Sequence, residues 1–359
     1  MGVDSNTSTG SIGSEVSRLQ DARHRRLREG GLGRALCVLL LFAFVASPAL
    51  ADLELADGRL TLDALVSANA KWLRSERHGM AVSRFDFYRF EAPVGLTAAV
   101  GEKASIRLSF DAGFNRGVHD LYVDLRWPGG IGFKAGQFLL PAGSEAIARP
   151  RDAVFVERSI VWLNWRPWSA RDLDVWDPRD AGAMLTYESG RFDAAVAVVN
   201  GSGKTVWLRD DNDWKDVCGR LVVRPIPGVE AFLAARGYYG RIGTEGTAFR
   251  NLAGEFRLEF DRFRIAGEGQ HAVAGTATRT TCYLQGAYAA HPLLEPVFRV
   301  DASLKTNDTD LGFTPGLNIS PAGDRFRLML NYTWRRRISS DPDLRSAEQR
   351  LLAQIQAWL

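Results

Sequence analysis

From residue 59 onward the chain alternates apolar and polar residues at period two, in segments of about ten residues, and this pattern demands strands with one dry face and one wet face. Leu60, Leu62, Ala64, Val66, Ala68, Ala70 and Trp72 alternate with Thr61, Asp63, Leu65, Ser67, Asn69 and Lys71. Ala104, Ile106, Leu108 and Phe110 alternate with Ser105, Arg107, Ser109 and Asp111. Phe326, Leu328, Leu330, Tyr332 and Trp334 do so against Arg325, Arg327, Met329, Asn331, Thr333 and Arg335. The chain is therefore all-β, and the question becomes what lies against each face.

A soluble sandwich alternates too, but two features point elsewhere. The polar phase carries arginine on most strands, and such a set must face water, because a buried charge is costly without a partner. The connections also alternate in length. Short turns at 101–103, 128–130, 188–191 and 321–324 are interleaved with longer links at 141–176, 200–217, 241–248 and 336–348. Short turns at one end and longer loops at the other are the pattern of a transmembrane antiparallel β-barrel, with the turns periplasmic and the loops external.

The alternation yields sixteen strands, at 60–72, 82–99, 103–113, 120–127, 131–139, 178–187, 192–199, 218–225, 230–240, 249–260, 263–272, 280–290, 295–305, 311–319, 324–335 and 350–359. An even number places both ends of the barrel chain on the periplasmic side and the 141–176 link outside. Unpaired backbone groups in hydrocarbon cost several kcal/mol each, so the last strand is expected to close on the first. Leu351, Ala353, Ile355, Ala357 and Leu359 give it an apolar face.

The N-terminal region agrees with export. Residues 35–51 form an apolar run ending in Ala49-Leu50-Ala51, and Arg23, Arg25, Arg26, Arg28 and Arg34 precede it. Basic region, apolar core and small-residue site make a signal peptide over 1–51, cleaved after Ala51, with the barrel occupying 52–359. Of the 45 basic and 42 acidic residues, 6 and 4 lie in that leader, so the remaining chain is nearly neutral. A nucleic-acid binder would show a basic excess. Cys218 and Cys282 lie far apart in sequence and are read as unpaired.

With the apolar phase against outer-membrane lipid, the alternate phase lines a lumen. Arg107, Arg126, Lys134, Arg220, Arg224, Arg257, Arg264, Arg299, Arg325 and Arg327 are its candidate cations, joined by Lys71 and Arg335. Asp63, Asp111, Asp124, Glu255, Glu259, Glu268 and Asp301 share the wall. Two readings follow. A basic excess favours anions, or the opposite charges pair across neighbouring strands and only keep the lumen wet. The 141–176 link is long for a compact domain and is expected to serve function by folding inward as a constriction. Arg149, Arg151, Arg158 and Arg166 are its candidate charges, with Arg171 further on. A cap over the external mouth is the alternative.

The run GFKAGQFLLPAGSE at 132–145 precedes FVERSIVWLNWRPWSARDLDV at 155–175 and VVNGSG at 198–203. This resembles the phosphate-selective porin O and P family. Gly136-Gln137-Phe138 with Pro141, then Phe155, Glu157-Arg158-Ser159, Arg171-Asp172-Leu173 with Val175, and Asn200-Gly201 fill the family's motif slots. Asp174 stands where the family has glycine. The resemblance implies a sixteen-stranded homotrimeric channel with an inward third loop, passing small hydrophilic solutes with a mild preference for anions, phosphate among them. A barrel enzyme or a non-channel structural barrel is the alternative.

Other chemistry has little support in the sequence. Gly201-Ser202-Gly203-Lys204-Thr205 resembles the end of a P-loop, but that motif needs glycine where Val198 stands. His78, His119, His271 and His291 lack metal-ligand spacing, so no metal or cofactor is expected. A serine, histidine and acid cannot be assembled into a convincing hydrolytic set.

Overall fold

The computed structural model describes residues 53–55, 59–77, 80–113, 117–163, 178–201, 212–226, 228–242, 245–321 and 325–358. The leader and its cleavage site lie outside the described residues, as do His78, Arg166, Arg171 and the 201–205 motif beyond Gly201.

Sixteen antiparallel strands close on themselves. They are β1 (Leu60–Arg77), β2 (Met80–Glu91 and Pro93–Val100), β3 (Ala104–Asp111), β4 (Gly117–Arg126), β5 (Ile131–Leu139), β6 (Arg179–Glu188), β7 (Phe192–Val199) and β8 (Asp216–Val223). Then follow β9 (Ala231–Ile242), β10 (Thr247–Phe260), β11 (Phe263–Ala274), β12 (Ala277–Tyr288), β13 (Leu294–Lys305), β14 (Asp308–Ile319), β15 (Phe326–Ser339) and β16 (Ser346–Trp358). Each strand pairs with its sequence neighbours. Closure is made by β16 on β1, from Ser346 opposite Arg77 to Trp358 opposite Leu65. Below that point a three-residue strand, Leu53–Leu55, folds back on Leu60–Leu62 and continues the edge of β1.

β2 is interrupted at Ala92. Pro93 has no N–H to give to a ladder, and Asp111 Oδ1 accepts the Ala92 N–H at 2.8 Å. Earlier in β2, Tyr88 is an extra residue opposite the step from Asn69 to Ala70 of β1.

Exposure follows the alternation. On β15 Leu330, Tyr332 and Trp334 face outward, while Met329, Asn331 and Thr333 are buried. Leu252, Phe256, Leu258 and Phe260 of β10 and Phe298, Val300 and Leu304 of β13 also stand outward. The buried set is largely polar and includes Asn69, Asn251, Gln270, Asn318 and Gln356. Such a molecule is inside out by the standard of a soluble protein, and its outer wall is suited to lipid.

The links differ from the sequence reading in one respect. Those expected at 241–248 and 336–348 shrink to the short stretches between Ile242 and Thr247 and between Ser339 and Ser346. β1, β15 and β16 run on through polar residues such as Arg74, Glu76, Arg336 and Arg337. Hydrophobic alternation reports contact with lipid, whereas strand pairing needs only backbone partners, so ladders continue past the point where the pattern fades. The long links are the one after β5 and the one after β7.

Depth along the wall sets the cost of an outward charge. Val300→Arg, in the middle of β13, is expected to lower the free energy of folding into lipid vesicles by about 2–4 kcal/mol. Leu304→Arg, near the end of the same strand, should cost about 0–1 kcal/mol. Equilibrium refolding in urea reads both. Equal costs would show that the apolar band is not centred on β13.

Candidate functional site: a loop across the lumen

The loop after β5 begins inside the strand itself. Gly136 takes φ +125°, and a Cβ there would lie 2.2 Å from the Leu121 carbonyl oxygen, so only glycine fits. Beyond it the alternation fails: Gln137, Phe138 and Leu140 are all buried. Gln137 Nε2 donates to the carbonyls of Val118 and His119 at 2.8 and 2.9 Å. Phe138, Leu140 and Ala142 pack with Met184, Val199, Tyr238 and Phe249 in an apolar cluster inside the barrel, with Ala146 and Ile147 of the loop against it. The Gly-Gln-Phe motif is thus where the chain leaves the wall for the lumen.

From there residues 143–161 run across the barrel interior, held by the inner faces of β8 to β16. Arg220 Nε donates to Glu255 at 2.6 Å, and the same guanidinium reaches Ser144 Oγ at 3.0 Å. Glu255 also accepts the Ser144 N–H at 2.7 Å. Gly143 lies so close to Glu268 that a Cβ would fall 2.4 Å from its carboxylate. Arg299 binds Asp301 at 3.0 Å, Glu145 at 3.3 Å and the Glu157 carbonyl at 3.1 Å. Asp301 accepts the Ile160 N–H at 3.0 Å, and Gln270 donates to the Val161 carbonyl at 2.9 Å. Asn331 Oδ1 accepts the Val156 N–H, Asn318 donates to the Val154 carbonyl, and Arg327 donates to the carbonyls of Arg151 and Ala153. Phe155 packs on Ala287 and Val297.

Glu157 anchors the middle of the loop with a 2.7 Å ion pair to Arg350 of β16. Burial alone would raise its carboxyl, but Arg350, Lys71 and Arg335 outweigh that and hold it below the ordinary carboxylate value. The contribution of this pair is fully present above the ordinary value and is lost as pH falls through the lowered one.

The loop divides the interior. On one side it faces β1 to β6 across a cavity of about 240 Å³ lined by Asp63, Arg89, Arg107, Asp120, Arg149, Arg151, Arg158, Trp162, Arg179 and Trp358, among others. The wall charges here are paired. Arg107 meets Asp63 at 3.0 Å and Asp120 at 3.7 Å, Arg179 meets Asp120 at 2.7 Å, and Arg89 pairs with Glu91. The loop charges are less compensated. Arg149 is exposed and has no carboxylate partner among the described residues, and Arg151 lies 3.9 Å from Asp152. Arg158 donates to the Ala148 carbonyl at 3.0 Å and stands over Trp162. On the other side a smaller space of about 70 Å³ is bounded by Arg257, Arg264, Tyr283, Gln285 and the Ser144–Phe155 stretch.

The sequence-derived cations therefore fall in three groups. Lys71, Arg107, Lys134, Arg220, Arg257, Arg264, Arg299, Arg327 and Arg335 project inward from strands. Arg107, Arg220, Arg257, Arg264 and Arg299 are each paired with a carboxylate. Arg126 meets Glu188 near the turns, and Lys134 stands over Tyr122 within 4.0 Å of Asp124. Arg224 and Arg325 lie in turns just outside β8 and β15. Sequence reasoning missed Arg350, Arg179, Arg236 and Glu145. Arg350 and Arg236 occupy the polar phase of their strands and were findable by parity, whereas Arg179 falls in the apolar phase of its strand, beside Ala181, Ala183 and Leu185, and the anchoring role of Glu145 depends on the path of the loop. Cys218 is buried and Cys282 exposed, and neither forms a disulfide among the described residues.

Solved structures share this architecture. The fold is that of the outer-membrane porins. An anion-selective porin from Comamonas acidovorans superposes with a TM-score of 0.63 at 12% identity, covering 84% of this chain and 99% of that one. Salmonella typhi OmpF in complex with daunomycin gives 0.61 at 10%, covering 86% and 100%. The outer membrane channel DcaP of Acinetobacter baumannii gives 0.60 at 10%, with the same coverage. No family model and no curated relative matches the chain.

Glu157→Gln is expected to change single-channel conductance at pH 7 by loosening the loop from β16. The unaltered protein should keep its neutral conductance down to pH 5 and change only below the ordinary carboxylate value of 4.5. Conductance recorded across that range checks the sign. A transition near neutrality would contradict the assignment to Glu157.

Proposed function

We propose that the chain is an outer-membrane porin: a passive channel for small hydrophilic solutes with a mild preference for anions, assembled as a homotrimer and delivered by cleavage after Ala51. The observation that carries this reading is the asymmetry of charge across the larger cavity. The wall arginines are neutralised by carboxylates, while Arg149 and Arg151 on the inward loop are compensated least. A solute passing the constriction meets a fixed positive excess on one side and balanced pairs on the other, and fixed charge of one sign favours ions of the opposite sign. The paired wall also limits the strength of that preference, since each pair cancels most of its own field at a distance.

The trimer rests on analogy, because one of the similar structures, OmpT of Vibrio cholerae, is described in a trimer form. Phosphate is a member of the anion class the site would accept. Nothing in the cavity singles it out from other small anions, and the mixed charges favour a general channel.

Purified protein in a planar bilayer should conduct, with a reversal potential in a salt gradient displaced to the anion side. Replacing Arg149 and Arg151 together by glutamate should move that potential across zero to cation preference. Charge reversal at Arg325, which stands in a turn, should leave it nearly unchanged. Absence of conductance refutes the channel. Unaltered selectivity in the double variant removes the loop from the selectivity account.

A further inference from the structure

The outer wall carries one feature that a lipid-facing surface does not need. At the end of the barrel from which the long loop departs, Tyr239 and Arg241 of β9 and Arg250 of β10 share the outward phase. Tyr239 pairs with Val217 on one side and with Arg250 on the other, and Arg241 pairs with Ala248. The Arg241 guanidinium lies 3.6 Å from the ring centroid of Trp214, and Lys215 follows Trp214 on the exposed approach to β8. Trp214 is 52% exposed and Tyr239 54%. Neither the Arg241 nor the Arg250 guanidinium has a carboxylate partner among the described residues, although the Arg241 backbone N–H donates to Asp216 Oδ1 at 3.0 Å. Asp213 and Glu245, the described acids of the adjoining links, are exposed and pair with neither arginine.

Height along the wall explains how outward arginines are tolerated. On β10 the outward residues after Arg250 are Leu252, Gly254, Phe256, Leu258 and Phe260. Ten residues separate Arg250 from Phe260. At a rise of about 3.3 Å per residue and a tilt of about 40° they span roughly 25 Å, the height of the apolar band of such barrels. Phe260 lies at the turn end, where Phe263 stacks on Tyr288 with ring centroids 4.5 Å apart, as in an aromatic girdle. Arg250 therefore sits one band height away, level with lipid headgroups on the loop side, and Trp214 and Tyr239 mark the same level.

We infer that Arg241 and Arg250, with Trp214, Tyr239 and Lys215 around them, form a binding site for the phosphate of a phosphorylated lipid headgroup in the leaflet on the loop side. Guanidinium groups bind phosphate oxygens through charge-assisted, bidentate hydrogen bonds. The indole that stacks under Arg241 pre-orients its fork. The β15–β1 sector at this height differs: Arg336 is aligned across Ala347 with Glu76, and Arg74 shares that face. Two guanidinium groups without a carboxylate partner among the described residues, with two aromatic rings, make the β8–β10 sector complementary to an anionic, amphipathic lipid, and a free anion would gain nothing from the apolar wall below.

Full-length protein purified in detergent tests this with lipid A carrying both phosphates as the probe. Retention after washing is quantified by native mass spectrometry. Unaltered protein and Arg336→Gln are expected to retain the lipid, and Arg241→Gln/Arg250→Gln to retain it about tenfold less or weaker still. Dephosphorylated lipid A should not be retained, and millimolar inorganic phosphate should not displace the bound lipid. Unchanged conductance of the double variant confirms that its barrel is intact. If that variant fails to insert, Arg250→Gln alone reads the same loss in smaller measure. Equal retention by variant and unaltered protein, retention of the dephosphorylated lipid, or displacement by inorganic phosphate would each overturn the site. The lipid readout is independent of selectivity, so its failure leaves the channel reading intact.

Discussion

The closure of β16 on β1 is the constraint from which everything else in this structure follows. A backbone group in hydrocarbon has no water to bond, and an open edge would leave a row of them. Once the ladder is closed, the apolar phase of every strand faces out and the polar phase faces in. The interior then becomes a place where charges find partners, and where paired charge can do structural work. Arginine from the wall reaches backbone carbonyls of the loop, and the carboxylates of Glu145 and Glu157 reach arginines of the wall.

The alternation left open a choice between pairing and selectivity, and along the wall the structure shows pairing. Strand arginines such as Arg107, Arg220 and Arg299 are tied to carboxylates and serve to hold the wall and the loop in register. On the loop, Arg149 has no carboxylate partner among the described residues and Arg151 lies 3.9 Å from Asp152. A rigid loop matters for the proposed channel, because a mobile one would average its charge over the whole opening. The loop is held by neutral contacts as well as ionic ones, through Gln270, Asn318 and Asn331.

Much of this was legible in the residues. The strand pattern on β15 and β13 gives both the face and the phase correctly, because lipid contact and water contact impose opposite composition at period two. The motif from Gly136 to Phe138 marks where the chain departs from the wall, and its glycine is explained by a positive φ and a carbonyl 2.2 Å from the missing Cβ. Strand ends were less legible. Arg74, Glu76 and Arg337 lie beyond the apolar band, where pairing continues without a hydrophobic signature, so the links near 241–248 and 336–348 read longer than they are. The partners of the loop were not legible either, since Glu145 and Arg299 are distant in sequence and meet only once the barrel exists.

The central claim is that the Ser144–Val161 stretch lies in the conduction path of a closed barrel. Substituted-cysteine modification tests it most directly. In a background with Cys218 and Cys282 replaced by serine, Arg149→Cys is exposed in a single open channel to a negatively charged thiol reagent. The account predicts an abrupt, irreversible fall in single-channel current and a displacement of the reversal potential toward cations. An unchanged current, with modification of the cysteine verified by mass, would place the loop outside the path and contradict it.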